Sequence, residues 1–313
     1  MRIFFAETGH LQHESEALDY SALSAIGQLE LADIRKSEQI LTENSQAEVL
    51  IIGRLPLSRD AIARFPNLRL IVKAGTGVEK IDLVAARELG IAVVNLPGYA
   101  AHPVGQATMA FILALAASLP QYVHEVRQRR WRDAQFRHPM LLLPGKRLGI
   151  IGLGGISRRV IELARAFGMH IQLYTRFPDS KLDVEYVDLN TIAEMSDFIS
   201  VHCALDSHTR GMINSEFLSR VKPTAYLINT ARSAVFDEEA VIAALEERRI
   251  AGLAMDGFWR EPPEPDHKLF AMPNVMITPH ITWAPLETRQ WMIDEMAAVI
   301  RDFLGGSPRN VVN

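Results

Sequence analysis

The stretch IIGLGGIS, residues 150 to 157, sets glycines at positions 152 and 154 and a small residue, Ser157, three positions further on. It follows an apolar run and opens a helix-like segment, the setting in which such glycines cradle phosphate. Gly152 permits a tight turn. Gly154 lets backbone approach a pyrophosphate, which then rests on the helix start at Gly155 and Ile156. Other nucleotide enzymes share this loop, methyltransferases among them, so it predicts a nucleotide and does not by itself name the cofactor. The next strand-like run ends in LYTRF, residues 173 to 177. An acid there would bind both ribose hydroxyls of NAD and repel a 2′-phosphate. Thr175 removes that repulsion, and Arg176 offers a planar donor fork suited to phosphate. The pattern predicts NADP(H) in preference to NAD(H). The competing reading makes Arg176 a solvated cation, with an acid reaching in from Asp179 or Asp183.

Three further residues attract attention. Arg232 follows the apolar run AYLIN and is expected at a strand C-terminus, where open α/β sheets place their ligands. His280 ends the run VMIT, and Glu261 lies in a proline-rich loop. Alone, each of these two reads as a structural histidine and a solvated acid. His202 also follows a strand-like run and reads as structural or close to the cofactor. Cys203 reads as a small buried hydrophobe.

The elements that must position these groups alternate along the chain. RIFFAE, VLIIG, LRLIV and IAVVN read as strands in the first third, with a helix over residues 81 to 89. A long helix is expected from Ala101 to about Ser118, before Pro120. RLGIIG, IQLYT, FISVH, AYLIN, GLAMD and VMIT form a second strand series, and RVIELARAFG a helix capped by Gly168. A final amphipathic helix follows Pro285 and stops at Gly305-Gly306. This alternation predicts an α/β protein with parallel sheets. At 313 residues the chain exceeds what one core usually serves. Two domains are expected: a Rossmann-type dinucleotide domain over residues 99–284, and a smaller flavodoxin-like substrate domain over 1–98 completed by 285–313.

Five blocks, in order, resemble the D-isomer-specific 2-hydroxyacid dehydrogenases, in particular the glycerate dehydrogenase and hydroxypyruvate/glyoxylate reductase branch. They are VKAGTGVEKIDLVAARELGIAVVNLPGY, GKRLGIIGLGGISRRVIELARAFGM, INTARSAVFDEEAVIAAL, GLAMDGFWREPP and NVMITPHITWAP. The resemblance implies hydride transfer between NAD(P)H and a small 2-keto acid to give a D-2-hydroxy acid, with glyoxylate and hydroxypyruvate foremost. It implies that Arg232 grips the substrate carboxylate and keto oxygen, that His280 is the acid/base, and that Glu261 is its partner. Asp256 would face the nicotinamide carboxamide, Thr230 would line the cofactor site, and backbone N–H groups around Thr76 and Gly77 would hold the substrate carboxylate. That chemistry suits these groups. Imidazole titrates near neutrality and can deliver the proton that hydride addition requires. A guanidinium can grip a carboxylate bidentately while polarising a carbonyl. No metal is required. Three positions depart from the family pattern: Ser233 for Gly, Gly257 for Val and Ala204 for Pro. Two rival readings share the fold, a nucleotide-sensing corepressor-like interaction protein and a formate- or phosphite-type dehydrogenase.

Composition bounds the rest. Net charge is −4 with 22% charged residues, which gives no global case for nucleic acid or membrane. The basic run RQRRWR, flanked by Glu125 and Asp133, reads as a solvated helix face or a subunit contact. With Trp131 and Phe136 near it, burial against a partner is expected, and the resemblance implies a homodimer. One cysteine excludes an internal disulfide and fits a reducing cytoplasm.

Overall fold

The computed structural model describes residues 1–12, 17–36, 39, 46–132 and 135–313. The chain divides into two units, Met1–Tyr99 with Ala284–Asn313, and Ala100–Trp283.

In the first unit, β1 (Arg2–Phe5), β2 (Gln28–Leu31), β3 (Val49–Ile52), β4 (Leu70–Lys73) and β5 (Ala92–Val94) pair in parallel in the order β2-β1-β3-β4-β5. This is the flavodoxin-like order. β3 is wholly buried, and β1 and β4 are buried but for one end residue each, as crossover-connected strands covered on both faces must be. The edge strand β2 is largely exposed, and its sequence QLEL lacks the apolar run that would reveal it. Short helices α1 (Ser21–Ser24), α2 (Arg59–Ile62) and α3 (Leu83–Glu88) link the strands. Ser58 and Asp82 cap the last two by accepting backbone N–H bonds from Ala61 and Ala85. The C-terminal helix, Leu286–Leu304, carries the buried Arg289, which donates to the carbonyls of Leu11 (2.7 Å) and Ala284 (2.9 Å).

The second unit opens with α4 (Ala101–Ala116) and α5 (Leu119–Arg127). One helix was expected to reach Ser118. It ends earlier, Ser118 turns left-handed at φ 48°, and Pro120 falls in the first turn of the next helix, where a missing N–H costs little. The basic run therefore lies mostly beyond a helix end, not along a helix face. Its flank Glu125 is buried and ion-paired with Arg130 and Arg137, both at 3.4 Å. The other expected flank, Asp133, lies outside the described residues.

A Rossmann-type sheet follows. Its strands are β6 (Arg147–Ile151), β7 (His170–Tyr174), β8 (Glu185–Tyr186), β9 (Phe198–Val201), β10 (Tyr226–Asn229), β11 (Gly252–Asp256) and β12 (Val275–Thr278). They pair in parallel in the order β12-β11-β10-β9-β6-β7-β8, with the reversal between β6 and β9. α6 (Gly155–Ala166), α7 (Leu189–Met195), α8 (Ser215–Arg220) and α9 (Glu238–Glu246) supply the crossovers. β9, β10 and β11 are buried along their whole length. One sheet face packs Ile150, Leu148 and Phe198 under α4 and α6; the other packs Ile199, Leu227 and Leu253 under α8 and α9. α4 crosses α6 closely at Gly105, where a Cβ would come within 2.7 Å of Arg159 Cγ. That crossing fixes the start of α6 at the sheet's switch point. Among the described residues no single helix is long and apolar enough to cross a membrane.

Candidate active site

The glycine loop leaves β6 at Gly152, whose φ of 97° suits only glycine. A Cβ there would also meet Cys203 N at 2.6 Å and Cα at 2.7 Å, so β6 and β9 could not diverge this tightly with any other residue. Gly154 caps α6. Its N–H donates to Ser157 Oγ (2.6 Å), and that hydroxyl donates back to Gly154 O (3.0 Å). Ser157 is fully buried, so the small side chain also completes the turn through its hydroxyl. Space above Gly154 is open, with no heavy atom within 4 Å of a built Cβ. First-turn N–H groups of a helix have no intrahelical acceptor, and the helix dipole favours an anion there. The loop therefore fits a pyrophosphate.

Beside it lies a pocket of about 210 Å³, lined by Gly152, Thr175, Arg176 and Phe177 and, across it, by Cys203 and His208. Neither Asp179 nor Asp183 lines it. Asp179 pairs with Arg158 at 2.6 Å, and Asp183 with Arg165. The acid that reaches Arg176 is instead Asp206, in the loop after β9. Burial pushes the Cys203 thiol up to about 11, so it is an unreactive wall residue.

Arg232 follows β10, Asp256 ends β11 and His280 follows β12, three adjacent parallel strands, at the C-terminal edge that also bears the glycine loop. Asn229 shapes the Arg232 loop by accepting from Ala231 N (2.9 Å) and donating to Arg232 O (3.1 Å). The Arg232 guanidinium is exposed and donates to Ala231 O at 3.2 Å, and it forms no ion pair among the described residues. His280 and Glu261 meet: Nδ1 lies 3.1 Å and 3.2 Å from the two carboxylate oxygens. Glu261 Oε1 also accepts from Phe258 N at 3.0 Å. This approach requires Gly257, with φ 104°, because a Cβ there would sit 2.6 Å from Glu261 Oε1.

Asp256 has both oxygens engaged. Oδ1 accepts from Thr278 Oγ1 (2.7 Å) and Ile281 N (2.8 Å), and Oδ2 from Thr282 N (3.0 Å) and Thr282 Oγ1. The carboxylate thus clamps the turn that bears His280, which itself adopts φ 56°. Thr230 also faces inward, its hydroxyl 3.1 Å from Thr108 Oγ1 and 3.5 Å from His202 Nδ1. His202 Nε2 meets Ser200 Oγ at 2.9 Å, and desolvation pushes this imidazole down to about 3.

Thr76 and Gly77 lie in the first unit, in the loop after β4. Thr76 Oγ1 donates to Leu96 O (3.1 Å), and Asn95 Nδ2 donates to Thr76 O (2.8 Å). Sequence reasoning passed over Lys73 beneath this loop. Its ammonium donates to Ala74 O at 3.2 Å, and burial lowers it to about 8. Among the described residues no cluster of His, Cys, Asp and Glu is placed to hold a metal.

Residues 109–282 match the model of the D-isomer-specific 2-hydroxyacid dehydrogenase NAD-binding domain. The chain is 35% identical to a glycerate dehydrogenase of Methylorubrum extorquens over 88% of each chain. It is 31% identical to a hydroxypyruvate reductase of Blautia hydrogenotrophica over 95% of each. A solved NADPH-dependent glyoxylate/hydroxypyruvate reductase of Sinorhizobium meliloti, in complex with citrate, superposes with a TM-score of 0.85 at 26% identity, covering 99% of this chain and 97% of that one.

The half-buried, desolvated imidazole of His202 makes a prediction. Its value of about 3 lies below the ordinary 6.5, so between these the unfolded chain binds the extra proton. Stability therefore falls as pH drops from 6.5 towards 3, by up to about 1.4 kcal/mol per pH unit from this group. His202→Gln, which does not titrate, is expected to flatten that part of the urea-unfolding stability curve by one proton. A slope equal to the parent's would contradict this.

Proposed function

The chain belongs to the D-isomer-specific 2-hydroxyacid dehydrogenases, and from that membership we propose that it reduces glyoxylate or hydroxypyruvate, reversibly, with NADPH preferred over NADH. Support for the small substrates comes from the relatives named for glycerate, hydroxypyruvate and glyoxylate. The same names disfavour the corepressor and the formate- or phosphite-type readings. The single observation that carries the assignment is the Glu261–His280 pair set on the same sheet edge as an open glycine loop and an Arg232 that forms no ion pair among the described residues.

In this reading the second unit is the dinucleotide domain and the first the substrate domain. Gly152, Gly154, Gly155 and Ile156 hold the pyrophosphate, Thr175 and Arg176 the adenosine ribose with its 2′-phosphate, and Thr230 lines the nicotinamide end. When bound, the nicotinamide supplies the hydride. Arg232 holds the substrate carboxylate through its fork and draws charge onto the keto oxygen. Backbone N–H groups at Thr76 and Gly77 are the first unit's donors for a substrate carboxylate. His280 delivers the proton to the keto oxygen, and Glu261 orients the ring through Nδ1. Asp256 acts by holding the turn that bears His280.

Two wider expectations accompany this reading. Trp131, Leu142 and Phe136 are 69%, 82% and 98% exposed. Apolar side chains so bare on one segment suit a homodimer contact. A single cysteine suits the cytoplasm.

Arg232→Ala is expected to lower kcat/KM by about 1,000-fold or more while the dissociation constant for NADPH changes less than about twofold. Turnover at the parental rate would remove the assignment. Gly257→Ala should displace Glu261 and lower kcat by about 10- to 100-fold, again with cofactor binding intact; unchanged kcat would show that the glycine does not serve Glu261. A panel of 2-keto acids assayed with NADH and NADPH in parallel checks substrate and cofactor together, and light scattering at twice 35.0 kDa checks the dimer.

A further inference from the structure

The carboxylate that faces Arg176 comes from the loop after β9, not from the strand end that normally supplies it. We infer that Asp206 is a positioning residue for cofactor choice: it holds the Arg176 guanidinium in the adenosine pocket and yields it only to a 2′-phosphate, so it limits how strongly NADPH is favoured. This rests on the reading of Arg176 as the 2′-phosphate partner.

The two side chains differ in freedom. Asp206 is fixed by the turn it closes. Its Oδ1 accepts from His208 N (2.8 Å), Thr209 N (3.0 Å) and Thr209 Oγ1 (3.2 Å), and its own N–H donates to Thr209 Oγ1 (2.8 Å). That leaves Oδ2 for Arg176 Nη2. The guanidinium is 5.6 Å from the Phe177 ring centroid, on a long flexible stem, and pairs with no other carboxylate among the described residues. The guanidinium is therefore the partner that can move. Thr175 and Arg176 form one wall of the pocket, while Cys203, Ala204, His208 and Thr209 form the other. The Asp206 turn thus belongs to the wall facing the strand end where the ribose is held.

The arginine contact and the turn's backbone N–H groups keep the carboxyl well below the usual carboxylate range, at about 2. It is therefore a full negative charge at neutral pH. Against the ribose hydroxyls of NADH such a charge is an acceptor, which is the service a strand-end acid performs in NAD sites. Against a 2′-phosphate it is a like charge, and it also competes for the arginine. Thr175 removed one acid from the strand end; Asp206 restores part of its effect from the neighbouring loop.

Asp206→Asn preserves the acceptor for the turn and removes the charge. Asp206→Ser, which also closes such turns, is the second variant should the first not fold. Dissociation constants for NADPH and NADH, measured by fluorescence titration without substrate at fixed ionic strength, decide the matter. Either variant is expected to tighten NADPH by about fivefold, the scale of an exposed ion pair with a like charge removed, and to leave NADH unchanged or weaker. Equal changes for both cofactors, or none for NADPH, would overturn the inference. Arg176→Ala separates the two levels. A selective loss of NADPH binding upholds the arginine reading whatever the Asp206 variants do. An unchanged NADPH-to-NADH ratio removes that reading and the inference with it.

Discussion

The Asp256 carboxylate is the contact on which the site depends. It terminates β11 and accepts from Thr278, Ile281 and Thr282 in the turn that leaves β12. Two backbone and two hydroxyl donors saturate its lone pairs. The group is 6% exposed, so an unmade bond there would leave a buried charge poorly compensated. The turn so fixed holds His280 in a left-handed conformation that costs a non-glycine residue about 1–3 kcal/mol. Such a conformation persists only when its surroundings over-determine it, and the Asp256 clamp, with Trp283 Nε1 donating to His280 O at 3.0 Å, does so.

Around that clamp the sheet does the rest. Parallel pairing brings the C-terminal ends of β10, β11 and β12 side by side, and the reversal between β6 and β9 opens the crevice that receives a nucleotide. Charge is distributed to match. Among the described residues Arg232 has no competing carboxylate, whereas Arg176 has one and Glu125 has two arginines. A guanidinium at a strand end with no ion pair among the described residues is poised for an anionic ligand; a paired one must exchange.

Much of this was legible in the sequence wherever the determinants are local. The glycine loop, Thr175 and Arg176 lie within one strand–helix–strand unit, and Arg232 follows an apolar run directly. The Glu261–His280 pair was not derivable from pattern, because the two residues meet only through the fold; it was reached through family resemblance. Asp206 was missed for the same reason: it follows β9 and Arg176 follows β7, with β6 between them, and only the folded loops bring the two together. Gly257 was noticed as a departure, yet its use, admitting Glu261 to His280, needed coordinates. The edge strands β2 and β8 escaped notice because an exposed edge carries no continuous apolar run.

Asp256→Asn tests the central claim most directly, because it sets an amide donor against the donors of the His280 turn. Followed by NADPH absorbance in a single turnover with hydroxypyruvate, the rate constant for reduction is expected to fall by about 100-fold, with NADPH affinity within about twofold of the parent. A variant that reduces hydroxypyruvate at the parental rate constant would contradict the account.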